Sequence, residues 1–187
     1  PTTGKHRHYG GFGSYMRTDA SKLFKVPSAL EEKYVAPLMC AGVTVFAPIR
    51  HFLGGTDGTG KTIGVLGVGG LGHLALQFIA KAVALSRGTR KLDFAKKLGA
   101  SYLIDTTSEE ALKAAADSLD QLLVTATGDF DFEKYLPLLK PGGNLHFCGM
   151  IGKTATLPFT PVIFGRLTIS GSPVGGEIDT KLMLEFA

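Results

Sequence analysis

A doubly wound parallel α/β sheet is the fold this sequence predicts, and three observations predict it. The apolar run Thr62-Ile-Gly-Val-Leu-Gly67 passes directly into Gly67-Val-Gly-Gly-Leu-Gly72 and then into helical spacing from Leu71 to about Lys81. Downstream of it, short apolar runs suited to buried strands alternate with segments of helical period, the pattern of a parallel sheet covered on both faces. Turn residues punctuate that alternation: Leu98-Gly99-Ala100 and Pro141-Gly142-Gly143 each read as a helix stop followed by a strand start.

Taken in order, residues 1–38 are rich in aromatic and turn residues, and Gly11–Arg17 and Lys22–Val26 alternate as short β stretches. A β-rich segment is therefore expected before the sheet. Pro27 and Ser28 precede a helical run from about Ala29, through Val35 and Leu38, to Phe46. Strands are then predicted at 62–67, 83–86, 101–105, 121–126, 143–148 and 167–172, and helices at 71–80, 90–98, 108–118, 131–139 and 178–186. One interval is too short: between Phe78 and Ser86 there is little room for a reversal that usually takes about 2–6 residues. Either the first helix ends early or residues are absent from the sequence. No solenoid repeat or low-complexity tract is present.

Composition narrows the function. The 187 residues are 44% hydrophobic and 19% charged, ordinary for a soluble globular chain. Net charge is +4, but the 20 Lys and Arg are scattered, so nucleic acid is not an expected partner. His73, Gln77 and Lys81 interrupt the longest candidate for a membrane span. No signal peptide is read at the start, and the two cysteines, Cys40 and Cys148, make no disulfide framework, so a reducing, cytoplasmic setting is expected. The sequence starts at Pro1 without Met, and Ala187 falls inside an amphipathic helix that has no C-cap signal. The sequence reads as a fragment on both counts.

The glycine turn carries the chemistry. After a strand and before a helix, Gly67 permits the tight turn, Gly69 leaves the pyrophosphate unobstructed, and Gly72 lets the helix lie close on the strand. The phosphates then meet the helix's free N–H groups and the positive end of its dipole. This is the dinucleotide-binding fingerprint of a Rossmann-type fold. Coenzyme choice is set about 20 positions later, where an acid would accept the ribose 2′-OH. Here that position is Ser86, followed by Arg87, Gly88, Thr89, Arg90 and Lys91, with no acid before Asp93. Three cations and two hydroxyls suit a 2′-phosphate, which needs charge-assisted donors. The bland alternative, a solvated basic loop opening a helix, sets those cations against the helix dipole.

Two further features are decoys or bystanders. Gly55-Thr-Asp-Gly-Thr-Gly60-Lys61-Thr62 matches the phosphate-loop pattern G-x-x-x-x-G-K-[ST], but it precedes a strand instead of following one. It is expected to be an exposed turn. Cys148, on a predicted central strand, reads as an inert core thiol, and Cys40 alone would read the same way.

Set in order, Pro37-Leu-Met-Cys-Ala-Gly-Val-Thr44, the Gly67–His73 turn, Ser86-Arg87 with Lys91, and Gly171-Ser-Pro-Val-Gly175 resemble one family. It is the zinc-dependent medium-chain alcohol dehydrogenases, in their NADPH-using branch similar to cinnamyl alcohol dehydrogenase. The resemblance spans nearly the whole chain. It implies that Cys40 is a ligand of a catalytic zinc, the metal acting as Lewis acid on a primary alcohol or aldehyde. It also implies that NADP is held along Gly67, Gly69, Gly70, Leu71 and Gly72, with its 2′-phosphate on Ser86, Arg87 and Lys91. Thr44, Thr125, Gly149 and the Ser172–Val174 backbone would approach the nicotinamide and its ribose. By the same resemblance, residues 1–38 are the remnant of the zinc-binding, GroES-like catalytic domain, residues 39–187 are the coenzyme domain, and a homodimer would form through the sheet edge near Leu167–Gly171.

The departures are as definite. The family's second zinc-binding Cys, its His-Glu pair and its four-Cys lobe are absent from these residues. Val124 stands where an acid is usual before Thr125, and the connection after Lys81 is shorter than the family's. His6 and His8 have no spacing that ties them to Cys40. The sequence therefore predicts the coenzyme-binding portion of such an enzyme, inactive by itself. Its rivals are a catalytically silent NADPH-binding module and a zinc-free quinone or enone reductase.

Overall fold

Strands Ile63–Leu66 (β1), Ala82–Ser86 (β2), Tyr102–Asp105 (β3), Leu119–Val124 (β4), Leu139–Phe147 (β5) and Thr168–Gly171 (β6) pair in parallel, in the order β3-β2-β1-β4-β5-β6. The computed structural model describes residues 12–54, 60–88, 90–151 and 154–187. Strand order reverses between β1 and β4, and in open parallel sheets a ligand crevice forms at that point, beyond the carboxyl ends of the strands.

Strands β1 (IGVL) and β2 (AVALS) are buried along their whole length and almost wholly apolar, because both faces are covered. On one face Ile63, Val65, Ala82, Ala84 and Leu123 pack against helices Val43–Leu53 (α2), Gly72–Phe78 (α3) and Arg90–Lys97 (α4). On the other, Leu66, Val83, Leu85, Leu122 and Val124 meet helices Glu109–Ala114 (α5) and Phe132–Tyr135 (α6) and the 3-10 turn Leu136–Leu138. A Cβ on Gly64 would sit 2.6 Å from Leu119 Cδ1, so the leucines of the neighbouring strand already fill that space. A third cluster joins α2, α3 and helix Glu177–Phe186 (α8) through Leu38, Val43, Met183 and Leu184. There Phe46, Phe78 and Phe186 have ring centroids 5.3–6.0 Å apart.

Several expectations are corrected. No strand forms among the described residues before β1. Residues 12–26 hold one 3-10 turn, Ala20–Lys22, while Phe24 and Leu30 pack on the third cluster. A strand needs a partner for its N–H and C=O groups; residues 12–23 lie exposed instead, and among the described residues of the two stretches Phe24 alone is partly buried, against the helices. The β-rich remnant is therefore not seen; Gly11 and the residues before it, His6 and His8 included, lie outside the described residues.

The helical run starts later and ends later than expected: Glu32–Pro37 (α1), a π-helical turn Leu38–Gly42, then α2. Together they make a 22-residue helix long and apolar enough to cross a membrane by length and composition. It also exceeds the interrupted stretch around His73 that sequence inspection singled out. Its Val43, Val45, Phe46, Ala47 and Ile49 are buried within the fold, the mark of a core helix.

Helix α3 ends early, at Phe78, with Ile79 already extended at φ −111°, so the short connection closes through Ala80 and Lys81. Helix α5 is only six residues, and helix Phe159–Gly165 (α7) was not anticipated. Pro141-Gly142-Gly143 does not precede β5 but interrupts it. Leu119 pairs with Leu139 and Gln121 with Asn144, so residues 140–143 form a bulge with Gly142 at φ +80°. Leu136, Leu138 and Leu139 look helical in spacing, yet each fills the same core cluster from a 3-10 turn and a strand start.

Candidate functional site

The crevice at the strand-order reversal is a cleft of about 480 Å³ walled by Gly67, Gly69, Gly70, Ser86, Arg87, Lys91 and Thr125. Each glycine of the turn has a distinct reason to be there. Gly67 sits at φ +96°, and a Cβ on it would meet Ala126 at 3.0 Å. A Cβ on Gly72 would lie 1.9 Å from the Gly67 carbonyl oxygen, so α3 presses on the turn as closely as backbone allows. Gly69 and Gly70 have no protein atom within 4 Å of where a Cβ would be. Their bare faces open onto the cleft. Thr125, just past β4, fixes the turn from beneath: its hydroxyl lies 2.7 Å from the Gly67 carbonyl and 3.1 Å from that of Leu66. Leu71 leads into α3 in helical conformation and is not part of the cleft wall.

At the far end, Ser86 closes β2 and is buried, while Arg87 and the α4 residue Lys91 face the same cleft. Asp105, which sequence reasoning passed over, holds that corner. Its Oδ1 accepts from the Gly88 N–H at 2.9 Å and from the Thr107 N–H and hydroxyl at 2.9 and 2.7 Å. These bonds, those from Thr107 first, depress its carboxyl pKa below the usual value. Asp-Thr-Thr at the end of a predicted strand is an Asx-turn signal that could have flagged it. Tyr135, also missed, closes the opposite wall; burial raises its phenol pKa, and the neighbouring Thr106 hydroxyl and Arg87 oppose the rise. Thr89 lies outside the described residues.

A second group gathers where α2 passes the carboxyl ends of β5 and β6. Cys40 lies exposed in the π-helical turn. The Thr44 hydroxyl donates to the Cys40 carbonyl at 2.8 Å and reaches the Pro173 carbonyl at 3.4 Å, linking the turn to the Ser172–Val174 segment. A Cβ on Gly149 would lie 2.2 Å from the Ala126 carbonyl oxygen, so the strand end and the loop after β4 touch backbone to backbone. The cleft and this group thus hold the sequence-predicted residues as two neighbouring sets, with Thr125 and Gly149 between them.

Pro48 explains the second cysteine. Lacking an N–H, it leaves the Thr44 carbonyl without its helical donor, and the Cys148 thiol points to that oxygen at 3.6 Å. Burial pushes the Cys148 thiol up to about 12, which keeps the donor proton in place. At pH 7.5, iodoacetamide should therefore modify exposed Cys40 and spare Cys148, as read by peptide mass spectrometry. Equal labelling of both in the folded chain would refute this account of Cys148.

The described end of the phosphate-loop look-alike, residues 60–62, leads into the amino end of β1, the wrong end of the sheet for a phosphate site. Residues 55–59 lie outside the described residues, but Lys61 Nζ is 3.4 Å from Asp120 Oδ1, and Asp120 Oδ2 also accepts from the Thr62 N–H at 2.8 Å and from Lys140 at 2.7 Å. This anchor lies at the amino ends of β1 and β4, away from the cleft. Among the described residues no three His, Cys, Asp or Glu side chains are grouped to hold a metal. Cys40 by itself does not fit a catalytic zinc, which takes about three protein ligands.

Comparison with known proteins agrees with this geometry. The family model described as zinc-binding dehydrogenase matches residues 68–187. Aldehyde reductase AdhA of Synechocystis is 34% identical over 184 residues, covering 96% of this chain and 54% of that protein. Among solved structures, a cinnamyl alcohol dehydrogenase of Sorghum bicolor superposes with TM-score 0.79 at 34% identity, over 87% of this chain and 47% of that one. One from Helicobacter pylori, complexed with NADP(H), gives TM-score 0.72 at 27% identity, over 86% and 46%. The chain spans about half the length of the curated relatives it matches.

Proposed function

The chain belongs to the zinc-binding dehydrogenases, and from that premise we propose that it is the coenzyme-binding portion of an NADPH-dependent alcohol dehydrogenase. The complete enzyme would interconvert a primary alcohol and an aldehyde. The observation that carries this reading is the single cleft in which bare Gly69 and Gly70 at one end face Ser86, Arg87 and Lys91 at the other. When bound, the nicotinamide coenzyme supplies or accepts a hydride.

The chain's own residues do the holding. Gly69 and Gly70 leave the pyrophosphate room. Arg87 and Lys91 offer charge-assisted hydrogen bonds to the 2′-phosphate, and the Ser86 hydroxyl adds a neutral one. Thr125 keeps the turn closed beneath the coenzyme. The Thr44 hydroxyl ties the Ser172–Val174 segment to α2, where the nicotinamide would lie. Cys40 would supply one thiolate to zinc if other ligands came from residues beyond those present. Residues 39–187 are assigned to the coenzyme unit and 1–38 to a neighbouring one. Strand β6 ends the sheet, so its outer edge offers a route to a homodimer. Two unpaired cysteines accord with a cytoplasmic setting.

Calorimetric titration of the chain tests the reading. NADPH should bind at least about tenfold more tightly than NADH, the margin of one charge-assisted hydrogen bond. Equal affinities, or no binding of either, would overturn it.

A further inference from the structure

The face of the sheet beneath α2 carries a row of polar side chains where apolar ones would be expected. In the β5–β6 register Asn144 lies opposite Thr168 and His146 opposite Ser170, so period-two alternation brings Asn144, His146, Ser170 and Ser172 to one side. They are joined. Gln121 Nε2 donates to Asn144 Oδ1 at 2.9 Å, and Asn144 Nδ2 donates to Ser170 Oγ at 3.0 Å. His146 Nδ1 is 2.9 Å from Ser170 Oγ, and its Nε2 is 3.0 Å from Ser172 Oγ. Gln121, Asn144 and His146 are all buried. Gln121, Asn144, His146 and Ser170 have no part in the coenzyme assignment above.

Its polarity has a direction. An amide NH₂ can only donate, so Ser170 Oγ accepts from Asn144 and has its own proton to give to His146 Nδ1. Burial, with a smaller electrostatic contribution from the neighbouring His51 on α2, lowers the imidazole pKa and so favours the neutral ring. A neutral ring that accepts at Nδ1 must donate at Nε2, to Ser172. The row therefore ends on the first residue of the segment proposed to meet the nicotinamide. That segment is clamped elsewhere too. The Ser172 N–H donates to the Phe147 carbonyl at 3.1 Å, Pro173 is reached by Thr44, and a Cβ on Gly175 would be 2.6 Å from Val43 Cγ2. Asp179 at the start of α8 accepts from the Gly176 N–H at 3.0 Å. His146 is the side chain that grips this segment from the sheet.

Resting on the coenzyme assignment, we propose that His146 is a positioning residue for the nicotinamide half of NADPH, acting through Ser172 to hold Ser172–Val174 in place. A role confined to that half makes a specific demand. Adenosine 2′,5′-bisphosphate carries the 2′-phosphate and adenosine but no nicotinamide, so it reports the other end of the cleft alone.

The test is titration of the chain with both ligands, reading calorimetry and the fluorescence of reduced nicotinamide. His146→Phe should weaken NADPH binding about tenfold, the loss of two hydrogen bonds of ordinary strength, and should remove the fluorescence change on binding. Affinity for adenosine 2′,5′-bisphosphate should stay within about twofold. Ser170→Ala, a smaller change that keeps the sheet, should give the same pattern at about threefold. Unchanged NADPH affinity in both variants, or equal loss of both ligands in a folded variant, would overturn the role of His146. Failure of the unmodified chain to bind either ligand would instead remove the coenzyme assignment, and this role with it.

Discussion

Gly69→Val should abolish NADPH binding and leave the melting temperature where it was, whereas Gly72→Ala should lower the melting temperature by about 5–10 °C. The two glycines are three residues apart in one turn, but they face opposite ways. Gly69 has open space around its missing Cβ and a φ outside the left-handed region, so the backbone accepts valine without strain. Exposed substitutions of that kind shift stability by no more than about 0.5 kcal/mol. The isopropyl group would, however, stand in the cleft where the pyrophosphate must come within contact of the turn. At Gly72 a single methyl would overlap the Gly67 carbonyl oxygen at 1.9 Å and crowd Thr125 Oγ1 at 2.9 Å. Neither neighbour can give way: Gly67 belongs to the turn, and Thr125 is bonded to it. Overpacking of this kind costs about 1–3 kcal/mol or more, and about 2–4 °C per kcal/mol is expected for a chain of this size. Thermal melts with calorimetric titration of both variants check the pair. NADPH binding by Gly69→Val at undiminished affinity would show the turn to be structural only.

Arg87→Ala or Lys91→Ala should weaken NADPH binding roughly 10–100-fold while changing NADH affinity little. Each cation faces the cleft beside Ser86, and only the 2′-phosphate distinguishes the two coenzymes. A charge-assisted hydrogen bond is worth about 1.5–3 kcal/mol, and about 1.4 kcal/mol is a factor of ten. Ser86→Asp should reverse the preference, because a carboxylate there repels the phosphate and accepts from the free 2′-OH of NADH. The effect should shrink in 1 M salt, where screening reaches about 3 Å. Equal losses for NADPH and NADH in Arg87→Ala and Lys91→Ala would contradict the 2′-phosphate assignment.

Legibility followed the range of the interactions. The glycine turn could be read because its constraints are local: a tight turn, an unobstructed face and a close helix are each met by a residue type within six positions, Gly67 to Gly72. Strands β1, β2, β3 and β6 were read to within about a residue: β1 and β2 are buried on both faces and so apolar along their length, while the edge strands β3 and β6 are short and bounded by turns. Where several contexts suit the same letters, the text misled. Pro141-Gly142-Gly143 is a valid turn, and only the pairing of Leu139 with Leu119 shows that the turn lies inside a strand. Gly11–Arg17 and Lys22–Val26 alternate as strands do, but alternation supplies no partner, and Phe24 found a helix cluster instead.

From the sequence alone came the parallel α/β class, the dinucleotide turn, the basic segment after β2 and the likeness to a dehydrogenase family, all carried by residues close together in the chain. The tertiary structure decided that Asp105, 17 positions from Gly88, holds the corner of the adenosine end. It decided that the Cys148 thiol serves a carbonyl orphaned by Pro48, 104 positions from Thr44. It also decided that His146 reaches Ser172, 26 residues further on. A lone Asp, Cys or His has no local pattern to announce its partner. Parallel strands are joined by crossovers of a dozen residues or more, so groups that meet at their carboxyl ends are necessarily far apart in the chain.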